Sequence, residues 1–162
     1  MNFTQKYAII SPLRPITEGM AFKSTDWPLH VTLADTFAVN LVDDNLMSQL
    51  NTVTASSDVT VKGGETTYFG KEKEVEVMLL IPSKELTALH YKIVDILLDH
   101  GAIFNDPHYT KEGFIGHVTK QKAESLKMGE VKQLNSIALI DMFPDGDPYL
   151  RKVLNIITIS RS

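Results

Sequence analysis

Two histidines stand in the same tripeptide, His30-Val31-Thr32 and His117-Val118-Thr119, about half the chain apart. Alternate side chains of a strand share a face, so each copy would project its imidazole and hydroxyl together and its valine the other way. Two such strands facing one cleft would assemble two imidazoles and two hydroxyls. That set suits in-line attack at a phosphodiester without a metal: one ring takes a proton from the attacking group while the other gives one to the leaving oxygen. In a chain with five histidines a lone His-x-Thr would mean little. Two identical copies carry more, although a short motif takes its meaning from structural context, and two unrelated buried or surface histidines are the competing reading.

The elements that would position these residues follow from the flanking pattern. Tyr7 to Ser11 is a short apolar run closed by Pro12, read as a buried strand that begins from the N-terminal stretch. The loop after it carries Arg14 and Lys23, cations that could meet a phosphate but are more simply solvated loop charges. Trp27-Pro28 leads into the first His strand, Leu29 to Leu33. Asp43 or Asp44 then offers an N-cap to a helix with Leu46, Leu50 and Val53 on one side. From Asp58 the pattern turns to strands, DVTVKG, TTYFG and EVEVMLLI, with Gly63-Gly64 and KEKE read as turns.

Ser83 caps the clearest helix, Lys84 to about His100, with Leu86, Leu89, Ile93, Ile96 and Leu97 inward and Gly101 at its C-terminal end. His90 and His100 on that helix suit structural or solvated roles. The polar FNDPHYTKEG loop precedes the second His strand, Phe114 to Thr119, and a short helix is expected over Gln121 to Met128. Two last strands, Asn135 to Met142 and Lys152 to Ile159, read as a hairpin around FPDGDPY. The order is a loose duplication, one His-x-Thr strand and at least one helix in each part. It predicts an α/β protein of α+β type. We expect one two-lobed domain over 1–162, mainly antiparallel sheets with outer helices, and both His strands facing a central cleft.

At 162 residues the chain is sized for one such domain, and 43% hydrophobic and 22% charged residues are ordinary for a soluble protein. No apolar run is long enough to span a bilayer, and the N-terminus lacks a secretory pattern, so a cytoplasmic location is expected. The absence of cysteine excludes disulfides, thiol catalysis and zinc-thiolate sites. A net charge of −4 argues against an extended nucleic-acid groove and suits a small nucleotide or an RNA end. His108 and Asp106 lack the spacing of a ligand set, so neither metal nor cofactor is expected, and the chain is taken as a monomer.

On these residues the chain resembles the 2H phosphoesterase superfamily: RNA 2′,3′-cyclic phosphodiesterases (the so-called 2′-5′ RNA ligases), plant-type cyclic phosphodiesterases and related nucleotide-processing enzymes. The resemblance is sharpest at WPLHVTL and is supported by GFIGHVT; GGETTYFGKEKEVEVMLLI and MFPDGDPYLRKVLNIIT resemble the family's central strand and closing hairpin. It implies that His30 and His117 form the acid–base pair and that Thr32 and Thr119 hold the non-bridging phosphate oxygens. Phe69 matches the family's cleft aromatic and becomes the first candidate for stacking on a base; Trp27, Tyr109 and Tyr149 follow. The chain departs from the family at Lys120, where an apolar residue usually follows the second motif. As a strand neighbour of Thr119, Lys120 should point to the opposite face.

The activity expected is hydrolysis of a 2′,3′-cyclic phosphate at an RNA end or on a small nucleotide. A phosphodiesterase that degrades cyclic oligonucleotide signals would use the same four residues. A non-catalytic nucleotide- or RNA-binding module would keep the cleft without needing both complete pairs.

Overall fold

A computed structural model describes residues 5–159 of the chain. The first strand, β1 (Tyr7–Pro12), lies where the apolar run ends in proline; the four residues before Gln5 fall outside the described part. After it come β2 (Ala21–Lys23), β3 (His30–Ala38), helix α1 (Asp44–Ala55), β4 (Thr60–Phe69), β5 (Val75–Leu80) and helix α2 (Lys84–Asp99). The chain closes with β6 (Ile103–Phe104), β7 (His117–Thr119), β8 (Val131–Gln133), β9 (Ser136–Asp141) and β10 (Leu150–Thr158). All the strand pairings are antiparallel, in the order β2-β10-β9-β1-β3-β7-β5-β4-β8, with β6 added beside the end of β3. The α+β architecture of antiparallel strands and outer helices is therefore the one the element order predicts. Its two halves meet where β3 pairs with β7 at a single register position, Val31 opposite Val118.

Both helices begin on a side-chain cap: Asp43 accepts from the Leu46 N–H at 2.9 Å and Ser83 from the Leu86 N–H at 3.2 Å. Their apolar stripes, Leu46 and Leu50 on α1 and Leu86, Leu89, Ile93, Val94 and Leu97 on α2, are buried against Val31, Leu33, Phe37, Met78 and Val118. Each such side chain contributes roughly 1.5–3 kcal/mol by leaving water. This core holds one face of the His strands, so the opposite face of the sheet is left for the histidines. A smaller cluster on that opposite face, Ile10, Phe22, Ala138, Ile140 and Val153, is flanked by Trp27 and Ile156.

Three local expectations change, and three short strands are added. Gly63-Gly64 is no turn: β4 runs through it with a register irregularity between Gly63 and Thr66. Gly63 is needed because the main chain at Lys127 to Glu130 lies against it, and a Cβ there would strike the Lys127 carbonyl. Residues 121–128 form turns and an isolated Gln121–Glu124 bridge instead of a helix. Leu126 is buried but Met128 is exposed, and Lys122 adopts a left-handed φ of 54°, so no apolar stripe exists to dock a helix. The second His strand is shorter than expected, because Phe114 to Gly116 are not part of the ladder. Strands β2, β6 and β8 have two or three residues each, too few for their periodicity to show in the sequence.

Candidate active site

The Val31–Val118 pairing decides where the repeated tripeptides point. Both valines are fully buried in the helix-covered core. In antiparallel register His30 then lies opposite Thr119, and Thr32 opposite His117, all four on the other face. Directly opposed residues have Cβ atoms about 4.5–5.5 Å apart, and the two histidines are diagonal neighbours at roughly 7–8 Å. That is close enough for both rings to serve one tetrahedral group.

The two rings are held alike. His30 Nδ1 lies 2.7 Å from the Pro28 carbonyl and His117 Nδ1 lies 2.7 Å from the Ile115 carbonyl, in each case two residues back. Since a carbonyl only accepts, each Nδ1 carries its hydrogen, which leaves Nε2 of each ring without a protein partner among the described residues. Each ring also packs on an aromatic: Trp27 at 4.9 Å between centroids from His30, and Phe69 edge-on at 5.0 Å from His117. Neither threonine hydroxyl bonds another protein group among the described residues.

Burial pushes His30 down to about 4, against the upward pull of its bond to the Pro28 carbonyl, and positive charge on His117 pushes it down further. At neutral pH His30 is therefore an uncharged ring.

A cleft of about 380 Å³ opens beside these residues, lined by Thr32, Leu33, Asp35, Phe69, His90, Tyr109, Phe114, Ile115, His117 and Thr119. It forms where β3 and the segment leading to β7 part company: β3 leaves β7 at Val31 and picks up β6 only at Phe37. His90 of α2 floors it. Its Nδ1–H donates to the Leu33 carbonyl at 2.6 Å, its Nε2 accepts the Lys111 N–H at 2.9 Å, and its ring stacks on Phe114 at 3.9 Å. Burial holds this ring below the ordinary histidine range, so it is neutral and structural.

Of the candidates from the sequence, Thr32, His117, Thr119, Phe69 and Tyr109 share this cleft. His30 stands at its margin across from Thr119. Trp27 backs His30 without lining the cleft, with the Arg151 guanidinium 5.8 Å from its ring centre. Tyr149 is 74% exposed in the β9–β10 turn and lies outside the lining. Lys120 points away from Thr119 and meets Glu76 at 3.8 Å. Arg14 pairs with Glu124 at 3.1 Å, and neither it nor Lys23 lines the cleft. His108 is exposed beside Tyr109, and among the described residues no three His, Cys, Asp or Glu side chains are grouped to hold a metal.

Asp35, Phe114 and Leu33 are lining residues that alternation does not reveal, whereas Ile115, two residues before His117 in the expected strand, falls on its face. Asp35 is three residues past Thr32, an odd spacing that would send it to the opposite face of a regular strand. A register shift intervenes, Ile10 pairing with Thr32 but Ile9 with Ala34, and this returns Asp35 to the cleft. The only trace in the sequence is the consecutive apolar pair Leu33-Ala34.

Among solved structures, a phosphoesterase superposes with a TM-score of 0.59 at 14% identity, over 97% of this chain and 99% of that one. LigT of E. coli in complex with 3′-AMP gives 0.56 at 12% identity over 98% and 99%. TT0787 of Thermus thermophilus gives 0.51 at 14% over 96% and 97%. Identities this low speak for the fold. No curated protein sequence matches the chain significantly. A family model described as the 2′-5′ RNA ligase superfamily does match, over residues 8–137, a span that contains both His-x-Thr strands and the cleft between β3 and β7. With that match and a fold shared with LigT, the chain belongs to the 2′-5′ RNA ligase superfamily, the 2H phosphoesterases that its paired motifs resemble.

Proposed function

We propose that this phosphoesterase-family protein hydrolyses a 2′,3′-cyclic phosphate, at an RNA end or on a small nucleotide, with no metal in the reaction. The observation that supports it is the cross-strand register, which sets two imidazoles and two hydroxyls around one point. In this reading the neutral His30 Nε2 takes a proton from water as its oxygen bonds to phosphorus. His117 Nε2 gives a proton to the 2′ or 3′ oxygen as that P–O bond breaks, and the product is a phosphomonoester. The Thr32 and Thr119 hydroxyls donate to the non-bridging oxygens, where charge builds up.

The cleft lining also favours a singly charged ester over a polyphosphate, because it contains no lysine or arginine. A panel of 2′,3′-cyclic mononucleotides, cyclic-ended RNA and cyclic di- and trinucleotides, assayed in EDTA, tests the reading. We expect turnover of the 2′,3′-cyclic substrates and a loss of about 10²–10⁴-fold in His30→Ala and in His117→Ala. Activity abolished by EDTA, or unchanged in both variants, would refute it. Tight nucleotide binding with no turnover would make the protein a binding module, and preference for cyclic oligonucleotides would move the substrate to that class.

A further inference from the structure

Asp35 is the sole Asp, Glu, Lys or Arg among the residues lining the cleft, and it shares that cleft with Thr32, His117 and Thr119. Its carboxylate forms no ion pair among the described residues, and its one hydrogen bond is accepted from the Thr36 N–H, at 2.8 Å. One oxygen and the outward lone pairs of the other are thus left for a ligand. A carboxylate can only accept, so whatever meets it must bring donors. It also repels a second phosphate, which leaves the sugar hydroxyls or the base.

On a nucleoside 2′,3′-cyclic phosphate both ribose hydroxyls are esterified, and within an RNA the 5′ oxygen is too. The donors that remain there are N–H groups of the base; a mononucleotide keeps a sugar hydroxyl as well, but that donor is the same for every base and does not discriminate among them. Two aromatic side chains also line the cleft, Phe69 and the half-exposed Tyr109, and provide flat surfaces for a ring. Guanine is the base that offers two adjacent donors, N1–H and the N2 amino group, which a carboxylate can engage together. Adenine and cytosine each pair one amino donor with a neighbouring ring-nitrogen acceptor. Uracil sets a single N3–H between two carbonyls that a carboxylate repels.

We infer that Asp35 is a specificity residue that selects guanine in the nucleoside carrying the phosphate, with uracil disfavoured most. The inference rests on the reading of the His-x-Thr residues as a nucleoside-phosphate site, so its test separates the two. Binding of guanosine 3′-monophosphate and uridine 3′-monophosphate is measured by titration calorimetry on wild type and Asp35→Asn, beside hydrolysis of the two corresponding 2′,3′-cyclic phosphates by wild type.

Charge-assisted hydrogen bonds predict about 10- to 100-fold tighter binding of the guanosine nucleotide to wild type. In Asp35→Asn, which keeps an acceptor for the Thr36 N–H, that preference should shrink to about twofold or less. Equal binding of both nucleotides to wild type, binding of neither, or a preference that persists in Asp35→Asn would overturn the inference. Absence of hydrolysis of both cyclic phosphates would instead count against the phosphodiesterase reading, leaving the binding ratio to judge Asp35 by itself.

Discussion

His30 and His117 are bound through the same ring nitrogen to the same relative carbonyl, and burial holds His30 as a neutral ring. His30 lies below the ordinary value of 6.5, at about 4, so in the free protein its ring stays neutral as pH falls through 6.5 and gains a proton only near 4. Unfolded chains take up that proton first. Stability contributed by the neutral ring is therefore complete above about pH 6.5 and is lost between there and about 4, with His90 acting in the same direction. Imidazole nitrogen NMR across this range tests the point: the His30 resonances should move only near pH 4, and a midpoint near 6.5 would contradict it. Which side chains share a face was readable in the sequence, because His-x-Thr on a strand fixes which of them travel together. The lowering at His30 was not, since it depends on how neighbours distant in the chain bury its ring.

Among the elements, α2 and the His strands were legible because a capped amphipathic stripe and a period of two are written in consecutive residues. The pairing of β3 with β7 was not, because strands so far apart in sequence find their register through the core that both valines enter. Gly63-Gly64 misled for a related reason: two glycines normally mark a turn, but here the first admits a neighbouring main chain. Gly63→Ala should therefore destabilise the protein by about 1–3 kcal/mol through forced displacement of the 127–130 segment, measured by urea denaturation. A midpoint equal to that of wild type would show that this segment yields freely. The irregularity after Thr32 was equally hidden, and it is what turns Asp35 toward the cleft.

Over the whole molecule, a net charge of −4 and a cleft without lysine or arginine imply that very few phosphates are neutralised on binding. The logarithm of kcat/KM for a cyclic-ended RNA against the logarithm of salt concentration should then fall with a slope no steeper than about −1, as expected for a single phosphate contact. A slope of about −3 or steeper would reveal an extended basic track elsewhere on the surface. No helix among the described residues is long and apolar enough to cross a membrane. The two halves of the sheet meet at one residue pair, and that meeting is what unites the two motifs, so the central claim is that His30 and His117 work on a single phosphorus. The most direct measurement is kcat on a 2′,3′-cyclic nucleotide for His30→Ala, His117→Ala and the double variant. Groups that act as a unit predict a double variant within about threefold of the slower single one. Losses that multiply, or a single variant as fast as wild type, would contradict the claim.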